Sequence, residues 1–157
     1  MIDEVDRSIL ELLQENARIS QADVARVVGL APSAVLERIR KLEGRGVIRG
    51  YTALLDPPAI GQSMLAFIAV RTAQAPGDDG VAQQLAQCPE ILELHHVAGD
   101  DCYLAKVRVR NAEHVGQLLR HRFGRIPGVV STRTTIVLET VKETPRLPLG
   151  GMPESVR

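Results

Sequence analysis

The hydrophobic period of the chain changes near residue 46, and this change constrains the fold more than any other feature. Before it, apolar residues recur every three to four positions, as in amphipathic helices. From 47 to 141, runs with alternating apolar residues take turns with helical segments. The pattern predicts a helical domain at 1–50, a strand linker at 51–62, an α+β domain at 63–142 and a Pro- and Gly-rich tail at 143–157.

Three short helices are predicted in the first domain. Asp3 and Ser20 are suited to cap the first two helices because their side chains accept hydrogen bonds from free backbone N–H groups. Gly29 suits the left-handed position that ends the second helix, and Pro32 suits the first turn of the third. Two helices joined by a tight turn at 29–32 are typical of a helix-turn-helix. The residues predicted to face inward are Val5, Ile9, Leu12, Leu13, Val24, Ala25, Val28, Val35, Ile39 and Leu42.

Positive charge is concentrated on the third helix. Lys+Arg and Asp+Glu both number 19, so the net charge is zero and the protein is not basic overall. The segment 33–49 has five basic and two acidic residues, hence +3, which leaves −3 for the rest. This favours DNA binding by one local face. The alternative is a solvated helix face with i,i+4 pairs such as Glu37 to Lys41.

If the third helix enters the major groove, its residues divide into two roles. Short side chains near the helix start suit contacts with base edges, and long cationic ones suit phosphates. The residues predicted to read bases are Ser33, Ala34, Glu37 and Arg38. Those predicted to hold phosphates are Arg40, Lys41 and Arg45.

The second domain is predicted to have the order βαββαβ. The strand candidates are 64–72, 91–98, 102–110 and 129–141, and the helix candidates are 81–87 and 113–124. This is the ferredoxin-like order, a four-stranded antiparallel sheet with both helices on one face. The other face carries apolar residues, so a second copy of the chain is expected to cover it. The segment 47–55 is predicted to be extended, as a wing or as a dimerising arm.

Metal, cofactor and membrane roles are not favoured by the sequence. The four histidines are badly placed to share an ion, since His95 and His96 point to opposite faces of a strand and His114 and His121 are seven residues apart. Cys88 and Cys102 are interpreted as small core residues. The longest apolar run, 64–70, is too short to span a bilayer. A cytoplasmic protein without metal or cofactor is expected.

Several short segments occur together in an order that is typical of one known family. They are 2–3 with Asp6 and 9–10, then 16–20, 30–33, 38–43, 46–51, 99–104 and 126–129. With them the chain resembles the leucine-responsive/asparagine-regulator (Lrp/AsnC) family of prokaryotic transcription regulators over about residues 2–149. The resemblance implies a DNA-binding winged helix-turn-helix and a second domain that dimerises, often forms octamers and binds a small effector, usually an amino acid.

In that family the effector sits between subunits near the loop after the second strand, which is 99–103 here. Gly99 permits close backbone approach, turn amides can bind a carboxylate, and Asp100 or Asp101 can bind an ammonium group. An ordinary acidic turn is the alternative. The predicted effector residues are Gly99, Asp100, Asp101, Cys102 and Tyr103, with Thr134 from a neighbouring subunit. Cys102 occupies a place where the commonest family pattern has Asp.

Two other functions are alternatives to a transcription regulator. Sirohaem decarboxylases are similar in fold, but their tetrapyrrole chemistry calls for an aromatic-lined cavity, and aromatic residues make up 3% of this chain. An effector-binding module that no longer touches DNA is the other alternative. The basic residues Arg38, Arg40 and Lys41 argue against it.

Overall fold

The computed structural model describes residues 2–73 and 79–150. They form two compact units. The first, called the head below, contains residues 2–53 together with 142–150, and the second, the sheet domain, contains 54–141. Within the described ranges, no helix is long and apolar enough to cross a membrane.

The head contains the three predicted helices, α1 (Glu4–Glu15), α2 (Gln21–Val28) and α3 (Pro32–Gly44). Their predicted ends are confirmed. The side chains of Asp3 and Ser20 each accept a hydrogen bond from the backbone N–H three residues later. Gly29 ends α2 with a φ of 69°, a conformation that glycine adopts without steric cost.

The core of the head is small. Its buried cluster consists of Ile9, Val24, Ala25 and Val35. The other predicted inward residues are partly buried against it, except Leu42, which is buried outside this cluster. Asp6 is 8% exposed and is the one charged or polar residue buried in the described part of the chain.

The sheet domain has the predicted ferredoxin-like order. It runs β1 (Met64–Thr72), α4 (Gly80–Ala86), β2 (Ile91–His96), β3 (Tyr103–Val109), α5 (Ala112–His121) and β4 (Val129–Ile136). The strands form one antiparallel sheet in the order β2-β3-β1-β4. Short 3-10 turns at Pro58–Ile60 and Phe123–Arg125 precede β1 and β4.

One face of the sheet packs against α4 and α5. Alternate residues of β3 are buried, as the alternation of its sequence predicts. They join a cluster of thirteen buried residues: Ala66, Ile68, Val70, Val81, Leu85, Tyr103, Ala105, Val107, Val109, Val115, Leu118, Phe123 and Ile126. The second face therefore carries the intervening residues of β1, which are Leu65, Phe67 and Ala69.

Four segments differ from the sequence prediction. The helix predicted at 113–124 ends at His121 and is followed by the 3-10 turn Phe123–Arg125. β4 ends at Ile136 rather than 141. Its last ladder partner is Ala66, near the start of β1, and the Val137 N–H makes one further hydrogen bond to the Leu65 carbonyl. β2 ends at His96, where Val97 N–H turns back to the carbonyl of Cys102. The predicted strand 47–55 is not assigned as a strand; the N–H groups of Val47 and Ile48 instead bond to the Leu42 carbonyl at the end of α3.

The described part of the tail returns to the end of α1. The Gln14 side chain makes two hydrogen bonds with the backbone of Leu147, donating to its carbonyl (3.0 Å) and accepting from its N–H (2.7 Å). The Arg146 guanidinium donates to the carbonyl of Glu15 at 3.3 Å. We call residues 142–150 the strap, because they complete the head from the far end of the chain.

Candidate DNA-binding surface and effector loop

The residues predicted to contact DNA lie on α3 or at its C-terminal cap. Ser33, Glu37, Arg40 and Lys41 recur at helical spacing and are all exposed. Ala34 and Arg38 are half-buried, and Arg45 is exposed at the cap. Five of the seven predicted residues line a common groove with Asp6 and Leu42: Ala34, Glu37, Arg38, Lys41 and Arg45.

Two cations on the exposed face differ in their intramolecular partners. Lys41 forms an i,i+4 ion pair of 2.7 Å with Glu37, and this contact holds the pKa of Glu37 below its ordinary value. Arg40 makes no ion pair with any residue that the structure describes. Exposed pairs are weak in water, so both cations can turn to phosphate at little cost.

Arg38, which is predicted to read a base, differs from Arg40 and Lys41 because two acidic residues near the start of α1 bind it. One guanidinium nitrogen, Nη1, donates to Asp3 Oδ2 at 2.7 Å and to Asp6 Oδ1 at 2.8 Å. These hydrogen bonds, first that to Asp3 and then that to Asp6, raise the pKa of Arg38. The pKa of Asp3 is lowered, first by the N–H of Asp6 and then by Arg38. In the free protein this side chain is thus bound to the start of α1.

Asp3 and Asp6 were not predicted from the sequence as partners of α3. Their spacing of three residues at a helix start was a usable signal for a capping box, and the structure has that box. Tyr51 was also missed. Its hydroxyl donates to Glu43 at 3.0 Å, and burial, followed by this carboxylate, raises its pKa.

The loop predicted to bind an effector, called the effector loop (99–103), is anchored on β1. The N–H of Cys102 donates to the carbonyl of Val70 at 2.9 Å, and the N–H of Val97 closes the turn on Cys102 at 3.0 Å. Gly99 has a φ of 116°, a backbone angle that residues with a Cβ atom rarely adopt. The loop therefore needs glycine at this position.

Arg133 on β4 is a neighbour of the effector loop that the sequence analysis missed. Its guanidinium pairs with Asp101 at 2.6 Å, while Asp100 is exposed. The two acids are therefore not equivalent, because a positive charge already neutralises Asp101. Arg133 is the single charged residue of β4, and its isolation among hydroxyl residues was the available signal.

The two remaining loop residues differ in burial, since Cys102 is partly buried and Tyr103 is buried. The Thr72 hydroxyl donates to Cys102 Sγ at 3.2 Å, and this bond lowers the pKa of the Cys102 thiol. Tyr103 belongs to the buried cluster, and its ring centre lies 5.2 Å from that of His96.

Thr134 is not beside the effector loop of its own chain. Thr134 pairs with Ile68 of β1. Tyr103, at the end of the loop, pairs with Val70, whose partner on β4 is Thr132. Its predicted contribution from a neighbouring subunit stays a prediction.

Both units match known families. Residues 2–43 match the model of the AsnC-type helix-turn-helix domain. Residues 65–147, more than half of the chain, match the model of the Lrp/AsnC ligand binding domain. The chain belongs to the Lrp/AsnC family. The two matched segments show that this Lrp/AsnC protein has kept both the DNA-binding and the ligand-binding parts.

Curated relatives that match this Lrp/AsnC chain over nearly their whole length are transcription regulators. The HTH-type transcriptional regulator FL11 of Pyrococcus horikoshii is 43% identical over 94% of this chain and 97% of its own. The leucine-responsive regulatory protein of Escherichia coli is 40% identical, over 93% and 90%. The chain is therefore a transcription regulator and not an enzyme, which removes the decarboxylase alternative.

Solved structures agree with this Lrp/AsnC fold. A transcriptional regulator of Neisseria meningitidis in complex with L-methionine has a TM-score of 0.89 at 30% identity, covering 95% of this chain and 97% of that one. The feast or famine regulatory protein of M. tuberculosis, also complexed with L-methionine, has a TM-score of 0.86 at 33% identity, covering 94% and 99%.

Proposed function

We propose that this Lrp/AsnC regulator binds duplex DNA with the outer face of α3 and responds to an amino acid held at the effector loop. Ser33, Ala34 and Glu37 face base edges in the major groove, while Arg40, Lys41 and Arg45 hold phosphates. The observation that carries the DNA part is the exposed face of α3, where Arg40 is without an ion pair among the described residues and Lys41 has only a weak one.

Salt dependence of DNA binding tests this surface. Arg40→Ala and Lys41→Ala should each weaken binding to all sequences and reduce the salt slope by about one unit, since each removes one phosphate contact. Arg120→Ala, an exposed arginine on α5, is the matched control and should leave the slope unchanged. Unchanged slopes in both α3 variants would reject the assignment of α3.

We propose a homodimer, and assembly of dimers up to an octamer, for the same regulator. The second sheet face combines the partly exposed apolar residues Phe67 and Leu104 with the Glu93–Lys106 ion pair, a mixture typical of the surface between subunits. A two-fold dimer prefers an inverted-repeat site with half-sites about 34–36 Å apart or a multiple of this distance. Light scattering should show a dimer or larger, and Phe67→Asp should lower the mass. A wild-type monomer would reject this part.

The effector is proposed to be an amino acid that lies between sheet domains of different subunits. Support comes from the two structural relatives solved with L-methionine. In the effector loop, turn amides near Gly99 suit a carboxylate and exposed Asp100 suits an ammonium group. The occupied site would shift the oligomer equilibrium and so the spacing of the heads.

A regulator of transcription acts where the DNA is, which for a prokaryotic protein is the cytoplasm.

A thermal-shift screen of the twenty amino acids, L-methionine first, tests this proposal. An effector at 100 times its Kd stabilises the folded state by about 2.7 kcal/mol. Asp100→Asn should abolish the shift, whereas Asp101→Asn should reduce it less, because Arg133 already neutralises Asp101. D-methionine is the control for non-specific effects. Equal shifts with both enantiomers, or none with any amino acid, would count against the site.

A further inference from the structure

Arg38 lies on the core side of α3 rather than at the centre of its exposed face. At 100° per residue it is about 60° from Val35 around the helix, whereas Arg40 is about 140° from Val35. Val35 is 0% exposed and belongs to the buried cluster of the head, so it marks the direction of the head core. The Arg38 side chain is 34% exposed, about half as much as that of Lys41 at 67%.

The two acids that hold Arg38 are themselves bound to each other's backbone. Asp3 accepts from the N–H of Asp6 at 2.7 Å, and Asp6 accepts from the N–H of Asp3 at 3.4 Å. Arg38 adds its two hydrogen bonds from a residue 32 to 35 positions away. The three side chains thus join the first turn of α1 to the middle of α3, and we name them the Asp3–Asp6–Arg38 triad.

The burial of Asp6 requires this partner. Its side chain is 11% exposed, and a buried carboxylate without a compensating charge is strongly destabilising. Asp6, Arg38 and Lys41 also line the same groove. Without Arg38, two carboxylates would stand uncompensated beside the surface that approaches phosphate.

We infer that Arg38 is a positioning residue for DNA binding, which fixes α3 against α1 and neutralises Asp3 and Asp6, and that it does not read a base. This inference rests on the proposed function of α3. It changes the role predicted for Arg38 from the sequence. It also assigns a role to Asp3 and Asp6, whose negative charge would otherwise oppose the approach of DNA.

A mutant cycle on the full-length protein separates the two roles of Arg38. The variants are Arg38→Met, Asp3→Asn with Asp6→Asn, and the three changes combined. Arg38→Met should lower the unfolding temperature of the head by about 4–8 °C and weaken binding to every sequence about fivefold to tenfold. Base preference, measured with a randomised site library, should keep its wild-type profile.

The combined variant decides the question. With the carboxylates neutralised, loss of Arg38 should no longer matter, and DNA affinity should return to within about threefold of wild type, half a tenfold step of 1.4 kcal/mol. If it stays as weak as Arg38→Met and preference is lost at a single base pair, Arg38 reads that base and the inference is overturned. Should Arg38→Met not fold, Arg38→Lys serves in its place, with a smaller temperature shift and an unchanged base preference.

Failure of the proposed function would look different. In that case Arg40→Ala and Lys41→Ala leave DNA binding unchanged, while the unfolding temperatures of the triad variants still couple. If the triad variants instead add independently in unfolding temperature, the triad itself is not a unit, and the inference fails even if α3 binds DNA.

Discussion

The head and the sheet domain are each stabilised internally by a different kind of interaction. The sheet domain buries a cluster of thirteen apolar residues between its sheet and two helices, whereas the buried cluster of the head has four. The head adds polar connections at its edges: the Asp3–Asp6–Arg38 triad, the Tyr51–Glu43 hydrogen bond and the strap. A small domain that must keep one face polar for DNA can gain stability in this way without enlarging its core.

The largest expected effect is the loss of stability when a core side chain of one unit is truncated. Ile9→Ala and Ile68→Ala each truncate a side chain that is 0% exposed, and each should cost about 2–5 kcal/mol. Because the head core is small, Ile9→Ala should unfold the head alone and abolish DNA binding, while amino-acid binding remains. Scanning calorimetry should then show two transitions. A single transition that shifts equally in both variants would show that the units fold as one.

A smaller effect is expected from the strap. Gln14→Ala removes two hydrogen bonds to Leu147, one of them 2.7 Å long, and should lower the stability of the head by about 1–2 kcal/mol. A chain that stops after residue 143 should lose at least as much. Gln83→Ala, on the exposed side of α4, is the control. Faster hydrogen exchange confined to α1 is the expected signature, and unchanged exchange in both variants would remove the strap from the head.

The comparison also explains which features the sequence could predict. The ends of the three head helices were predicted correctly because caps such as Ser20 and stops such as Gly29 act on neighbouring residues. The order of the sheet domain followed from strands and helices alternating at regular spacing. These signals depend on residues that are close together in sequence, so the hydrophobic period and the capping residues are enough to recognise them.

The missed features depend on contacts distant in sequence. The partners of Arg38 lie 32 and 35 residues away, Arg133 meets Asp101 across 32, and Gln14 meets the strap across 133. β4 ends where it pairs with Ala66 near the start of β1, and the sequence of β4 alone does not specify this pairing. The sequence grouped Arg38 with the exposed residues of α3, and only the folded head shows that it meets Asp3 and Asp6.

An acid titration should reveal the polar connections of the head. The folded pKa of Asp3 lies below its ordinary value of 3.8, because of the Asp6 N–H and then Arg38. Its contribution to stability is therefore complete above pH 3.8 and is lost as the pH falls through the folded pKa. The stability difference between wild type and Asp3→Asn should shrink in that window. A difference that stays constant below pH 3.8 would mean that the charge of Asp3 contributes nothing.

The smallest effect concerns two thiols of the sheet domain, one in its apolar interior and one at the polar effector loop. Burial raises the pKa of Cys88, whereas the Thr72 hydroxyl lowers that of Cys102. Since the thiolate is the reactive form, iodoacetamide at neutral pH should label Cys102 first. Peptide mass mapping measures both rates in one sample, and Cys88→Ser and Cys102→Ser confirm the assignment.

Thr72→Val separates the hydrogen bond from simple exposure in this labelling. The variant removes the hydroxyl that donates to Sγ at 3.2 Å and nearly keeps the side-chain shape, so Cys102 should react more slowly while Cys88 keeps its rate. Equal rates for the two thiols in the wild type would show that the effector loop is as closed as the core. An unchanged Cys102 rate in Thr72→Val would show that exposure alone, and not the hydroxyl, distinguishes the loop from the interior.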